Sequence, residues 1–154
     1  DGTLWAWGNN GLAGELGLNS AGQPLSSPTQ VGTNTNWGNV WNAGNNYQSV
    51  MDTSGNLYAM GYNGMGHLGQ NDLVNRSSPT QIPGTWTRAF GLNNGFVATK
   101  SDNTLWAWGS NSYGRLGQDG PVYVHRSSPV QVGSDTTWTD VAAAMVTLMG
   151  TKRA

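Results

Sequence analysis

Asp1-Gly2-Thr3-Leu4-Trp5-Ala6-Trp7-Gly8 opens the chain, and the same octet returns twice: as Ser54-Gly55-Asn56-Leu57-Tyr58-Ala59-Met60-Gly61 and as Asp102-Asn103-Thr104-Leu105-Trp106-Ala107-Trp108-Gly109. Leu4, Leu57 and Leu105 mark a period of about 50 residues, the spacing of propeller blades and related arrays. Within the octet, Leu4 and Ala6 face one way and Trp5 and Trp7 the other, so the segment is apolar on both sides. A short, doubly apolar run of this kind is a strand covered by a layer on each face. Burying each large side chain is worth about 1.5–3 kcal/mol, so these strands should dominate the core.

The rest of each repeat follows in fixed order. Gly14-Glu15-Leu16-Gly17, Gly66-His67-Leu68-Gly69 and Gly114-Arg115-Leu116-Gly117 come next, then Ser-Ser-Pro ending at Pro28, Pro79 and Pro129, then Trp37, Trp86 and Trp138. Strands are expected at 29–31, 40–43, 48–52 and 57–60, on β-branched and alternating character. Ser54-Gly55-Asn56 is a tight hairpin turn, since Gly and Asn tolerate positive φ. The prolines are placed at strand entries, where a missing N–H does least harm. Residues 141–149 include Ala142, Ala143 and Ala144 and could read as helix, but alignment with the other repeats makes them strand.

Taken together, Asp-Gly-Thr-Leu-Trp-Ala-Trp-Gly, Gly-x-Leu-Gly, Ser-Ser-Pro-x-Gln-Val and the spaced Trp resemble the regulator of chromosome condensation repeat, across essentially the whole chain. The resemblance implies an all-β fold of four-stranded antiparallel propeller blades, usually seven to a ring. It departs from the pattern at Ala13, an extra residue before Gly14, and at Tyr58 and Met60, which replace both motif tryptophans. The repeats run approximately 1–53, 54–101 and 102–154. Read circularly, Lys152-Arg153-Ala154 followed by Asp1-Gly2-Thr3 would make another hairpin. Three blades do not close an ordinary propeller. The chain is therefore expected to be a segment of a longer array, or else identical chains pair head to tail, each supplying the strand its neighbour lacks.

Composition narrows the function. The chain has 154 residues, a net charge of −1 and only 10% charged residues, against roughly 25% in typical domains. Seven Lys+Arg against eight Asp+Glu give no clustered cations for nucleic acid. There is no Cys, which removes disulfides, thiolate metal sites and Cys nucleophiles. No apolar run approaches the ~18 residues of a membrane-spanning helix, so no membrane insertion is expected. A polar surface made of Asn, Ser, Thr and Gln suits an extracellular or virion setting.

No catalytic, cofactor-binding or metal site emerges. His67 stands where the other repeats have Glu15 and Arg115, a variability that places it toward solvent; His125 lies in a loop before Ser-Ser-Pro. Neither has a partner at metal-ligand spacing. Asp1 and Asp102 fall in hairpin turns and Asp52 beside one, where local hydrogen bonding explains them. No two carboxylates are paired as a glycosidase needs, Gly-x-Ser-x-Gly is absent, and the 109–114 Gly-rich stretch lacks a P-loop Lys.

The expectation is a non-enzymatic scaffold that presents variable loops at 9–15, 62–67, 110–115 and 118–126 to a protein or surface. The partner-binding candidates are Tyr62, His67, Tyr113, Arg115, Tyr123 and His125, because binding residues concentrate in loops and aromatic and Arg anchors carry interfaces. The resemblance adds bacterial extracellular and tailed-phage structural proteins as a setting. It also implies an alternative, guanine-nucleotide exchange on a small GTPase. The aromatic loops leave a third, glycan binding.

Overall fold

The computed structural model describes residues 1–42, 44, 46–143 and 147–154, with Asn42 described by its backbone alone. The chain is all-β, as expected, with one short 3₁₀ turn at Ser112–Gly114. The first sheet pairs β1 (Trp5–Gly8) with β2 (Leu25–Gln30). The second runs in sequence order through β3 (Trp37–Asn42), β4 (Tyr47–Asp52), β5 (Leu57–Gly61) and β6 (Arg76–Ile82). The third does the same through β7 (Arg88–Leu92), β8 (Gly95–Thr99), β9 (Leu105–Gly109) and β10 (Arg126–Gln131). The fourth pairs β11 (Trp138–Ala143) with β12 (Leu148–Lys152). Every pairing is antiparallel. The leading strands β3, β7 and β11 lie against one another in turn, so the sheets fan out from a common axis as propeller blades do. Among the described residues two sheets have four strands, while β1–β2 matches the third and fourth strands of such a blade and β11–β12 the first and second.

The octet explains its own local structure. Asp102 Oδ1 accepts from the Thr104 amide at 3.0 Å and its hydroxyl at 2.6 Å, and the Thr104 oxygen accepts the Trp106 indole N–H at 2.8 Å. Asp1, Thr3 and Trp5 repeat the relay. In the middle repeat Asp52 does this work from the end of β4, accepting from the Ser54 and Asn56 amides and the Asn56 side chain. Burial pushes the Asp52 carboxyl up, but these donors outweigh it and hold it below the usual range.

The core sits between sheets, where the octet's alternation meets both neighbours. Trp108 is 0% exposed, stacks on Phe96 at 5.4 Å, tilts over Trp86 at 5.5 Å, and donates its indole N–H to the His67 carbonyl of the preceding blade at 3.0 Å. Met60 fills the same place one blade earlier, its sulfur against Gly17; a flexible thioether suits a gap the indole would otherwise fill. The expected burial on both faces holds for β5 and β9. It fails for β1: Trp7 is 60% exposed and Trp5 also exposed, because no sheet lies against their face.

Consecutive blades are latched by the Gly-x-Leu-Gly turn. The Asn19 and Asn71 amides each donate at 2.7 Å to the carbonyl of the next blade's serine, Ser77 and Ser127. Gly66, at φ +77°, approaches so closely that a Cβ would lie 2.4 Å from the Ser127 Cα. Only glycine combines that conformation with that approach.

Two local expectations are corrected. Pro28, Pro79 and Pro129 lie inside β2, β6 and β10, not at their entries. The ladder breaks register there, as between Ala59↔Thr80 and Gly61↔Arg76, and a bulge on an outer strand tolerates a missing donor. Residues 141–149 are not one strand: Ala142 pairs with Met149 and Val141 with Gly150 across a β11–β12 hairpin. Ala144, and Ala43 at the end of the expected 40–43 strand, lie outside the described residues.

Candidate interaction face

The loops joining third to fourth strands, 9–24, 62–75 and 110–125, lie on one face because each leaves the same end of its blade. Each is organised by a buried asparagine. Asn63 donates from Nδ2 to the Asp72 and Val74 carbonyls and to Asp72 Oδ1 at 3.0–3.1 Å, while its Oδ1 accepts the buried Leu68 amide at 2.9 Å. Asn10 binds the Ser20 carbonyl and the Leu16 amide in the same way, and Asn111 the Pro121 carbonyl and the Leu116 amide. These asparagines are not among the sequence candidates. Their signal was present, since each stands two residues after the octet's closing glycine.

Held by these hubs, the loops expose apolar and aromatic side chains: Leu12, Leu73, Val74, Tyr113, Val122 and Tyr123. Tyr113 sits at φ +64°, an uncommon conformation for a bulky residue, and its ring lies 6.0 Å from the Arg115 guanidinium. Tyr62 is exposed. His125 is exposed, with its Nδ1 accepting the Asn111 amide at 3.1 Å.

His67 and Arg115 are not on this surface. His67 is 1% exposed, Arg115 6% and Glu15, their counterpart, 5%. The variable position points inward, correcting the expectation that His67 faces solvent: three polar types are accommodated because each meets a different neighbour. His67 lies flat on Tyr47, centroids 4.9 Å apart. Arg115 donates from Nε to the Ser112 carbonyl at 2.9 Å. Glu15 Oε2 finds no hydrogen-bond partner among the described residues. Burial drives the His67 pKa down to about 4, with His125 and Arg115 adding to the effect. Thus the structure brings Tyr62, His67, Arg115 and His125 to one seam between blades, keeps Tyr113 and Tyr123 at the surface, and removes His67 and Arg115 from direct contact.

Tyr47 ties that seam together. Its hydroxyl reaches across to the β7–β8 turn, donating to the Leu92 carbonyl at 2.5 Å, lying 3.2 Å from the Gly95 carbonyl, and accepting the Gly95 amide at 2.8 Å. Burial pushes its phenol pKa up. At the edge of the face, Asp72 is held below the usual carboxylate range, first by the Val74 amide and then by Arg76, 2.6 Å away. Among the described residues no three His, Asp or Glu side chains converge as a metal site would need, and no helix is long and apolar enough to cross a membrane.

The family model of the regulator of chromosome condensation (RCC1) repeat matches residues 54–92 and 102–144. The chain belongs to the RCC1 repeat family. An RCC2 homolog of Xenopus laevis is 27% identical over 146 residues, covering 76% of this chain and 28% of that protein. The human X-linked retinitis pigmentosa GTPase regulator is 29% identical over 142 residues, covering 88% of this chain and 14% of its own length. The chain spans less than a third of the length of these relatives. Among solved structures, Saccharomyces cerevisiae Prp20p, described with its binding to Gsp1p and histones, superposes with a TM-score of 0.82 at 17% identity over 99% of this chain and 40% of that one. Human WBSCR16 superposes with a TM-score of 0.80 at 21% identity, over 100% and 41%. These likenesses establish the RCC1 β-propeller fold.

Proposed function

We propose that this chain is a stretch of RCC1-type propeller that binds a protein partner through the face built by its 9–24, 62–75 and 110–125 loops, and that it carries out no covalent chemistry of its own. The observation that carries this reading is the concentration of exposed apolar and aromatic side chains on loops whose bases are fixed by buried asparagines. Rigid display lowers the ordering cost of binding, and exposed aromatics are the common anchors of interfaces. Tyr113 and Tyr123 are the leading anchors. The charge-poor surface supports an extracellular or virion location, which immunolabelling of the source would decide.

A second reading is regulation of a small GTPase. The name of the human relative, a GTPase regulator, favours it, and the Prp20p structure is described with protein partners. Binding of the chain to a panel of small GTPases and histones tests both readings together. Tyr113→Ala with Tyr123→Ala should weaken capture at least tenfold while leaving the circular dichroism spectrum unchanged. Equal capture by the double variant would move the contact elsewhere. Accelerated nucleotide release from a bound GTPase would promote the second reading over a purely structural one, and binding on a glycan array alone would replace both.

A further inference from the structure

His67 is a titratable member of the second-to-third blade seam whose burial favours its neutral form. The imidazole is buried, stacked on Tyr47 with the ring planes 19° apart, and 5.4 Å from Tyr62. Neither ring nitrogen makes a hydrogen bond of full geometry among the described residues, and the Tyr62 backbone, which favours the protonated ring, is outweighed by burial. The titratable groups that face it are Tyr47 from β4, Tyr62 from its own loop, and Arg115 and His125 from the loop of the next blade. None is a carboxylate. Asp72, the acid of its own loop, is committed to Arg76, Asn63 and the Val74 amide. A proton arriving on this ring therefore meets the Arg115 guanidinium and the His125 imidazole with only the Tyr62 backbone to favour it, in a place where a poorly compensated charge is costly.

The ring's position makes that cost mechanical. Beneath it, Tyr47 carries the hydrogen bonds to the β7–β8 turn. The His67 carbonyl holds the Trp108 indole, and the loop's far end is latched to the next blade by the Asn71 amide on Ser127. The Asn63 hub closes the loop on itself without using the imidazole.

We propose that His67 is an acid-operated release for the loop face: on taking up a proton the imidazole leaves the seam, and the 62–75 loop, with Tyr62, swings away from its neighbour at 110–125 while the sheets remain folded. The release stands on the geometry of the seam alone; its effect on partner binding rests on the function proposed above. Because the buried ring resists protonation, the change falls between the ordinary histidine value of 6.5 and about 4.

The test follows the ring and backbone separately, by NMR of the ¹⁵N-labelled chain from pH 7 downward. The expected result is that the amides of 62–75 shift or broaden with the same midpoint as the His67 ring, while β5 and β9 amides keep their native positions. His67→Phe, which preserves an aromatic stack without a titrating group, should abolish the transition; His67→Gln serves the same purpose if Phe does not fold. A loop transition that persists in these variants would overturn the proposal. So would protonation of His67 with the loop amides unmoved, or a loop that moves only when every strand unfolds. None of these measurements needs a partner. A loop that opens as expected in a chain that captures no protein would therefore sink the proposed function and leave the release intact.

Discussion

Asn63 does with one amide what a turn of backbone would otherwise need several residues to do. It closes a fourteen-residue excursion, 62–75, from its inside, and it satisfies the Leu68 amide in a fully buried position. Asn63→Ala leaves that donor without an acceptor, so equilibrium urea unfolding should show a loss of about 2 kcal/mol or more. His67 gives a second expectation at this scale, in pH. Its folded value lies below its ordinary one, so the unfolded chain binds the proton first. Its contribution to stability is whole above about pH 6.5 and is lost as pH falls toward about 4. Asp52, Asp72 and Asp102 are shifted the same way from a lower start, with 3.8 as the ordinary value. Their stabilisation is complete above that value and fades only below it. Thermal melts across pH should accordingly fall in two stages, and His67→Phe should remove the upper one. The inward direction of His67 was not legible in the sequence. Side chains that differ between repeats usually mark a surface, whereas here each repeat buries its own solution, and only the identity of Tyr47 opposite hints at a stacked ring.

Strands and turns were far more legible than side-chain direction. The octet's double apolarity located β5 and β9, and the Ser54-Gly55-Asn56 turn located the hairpin between β4 and β5. Where strand bounds differ from expectation, a neighbouring element is the reason. The prolines sit within outer strands because the ladder bulges around them, a register effect no local pattern records. The 141–149 stretch divides into two paired strands, because apolar residues on either side of a tight connection look continuous in one dimension. The Gly-x-Leu-Gly turn offers a controlled comparison of the same element in two contexts. Gly66 and Gly114 both have positive φ, +77° and +69°. A Cβ at Gly66 would strike the Ser127 backbone, whereas at Gly114 its nearest neighbour is a Val122 methyl 3.5 Å away. Both alanine variants carry the conformational cost, about 1–2 kcal/mol. Gly66→Ala alone adds a clash between sheets, so its unfolding midpoint should fall clearly further than that of Gly114→Ala.

At the scale of the molecule, consecutive blades meet among the described residues through β3 on β7 and β7 on β11, so stability is a sum of blades and the joints between them. Tyr47 is the polar centre of the joint between the two four-stranded blades. Tyr47→Phe keeps the stack with His67 but strands the Leu92 carbonyl and Gly95 amide. It should cost about 1–3 kcal/mol and, more tellingly, broaden the calorimetric transition as the blades begin to melt apart. A transition that weakens but stays as sharp would mean the apolar contacts between sheets suffice to couple them. The stretches 9–15, 62–67, 110–115 and 118–126 are readable from sequence as loops, but not which of their side chains face outward. That they share one face, with Tyr113 and Tyr123 outward and Arg115 folded beneath, depends on how successive blades rotate about the axis, and that rotation is written in packing.

Because the 9–24 and 62–75 loops are each closed at the base by a single asparagine and by a glycine turn seated on the next blade, their exposed tips, Leu12 in one and Leu73 in the other, are held from below rather than by their own contacts. The 9–24 loop already absorbs one inserted residue, Ala13, without disturbing its hub. A propeller built this way is a holder with interchangeable tips. Foreign peptides spliced between the hub and the outer strand, one per blade, would be displayed side by side at fixed spacing, so a library need randomise only the tips to sample multivalent recognition.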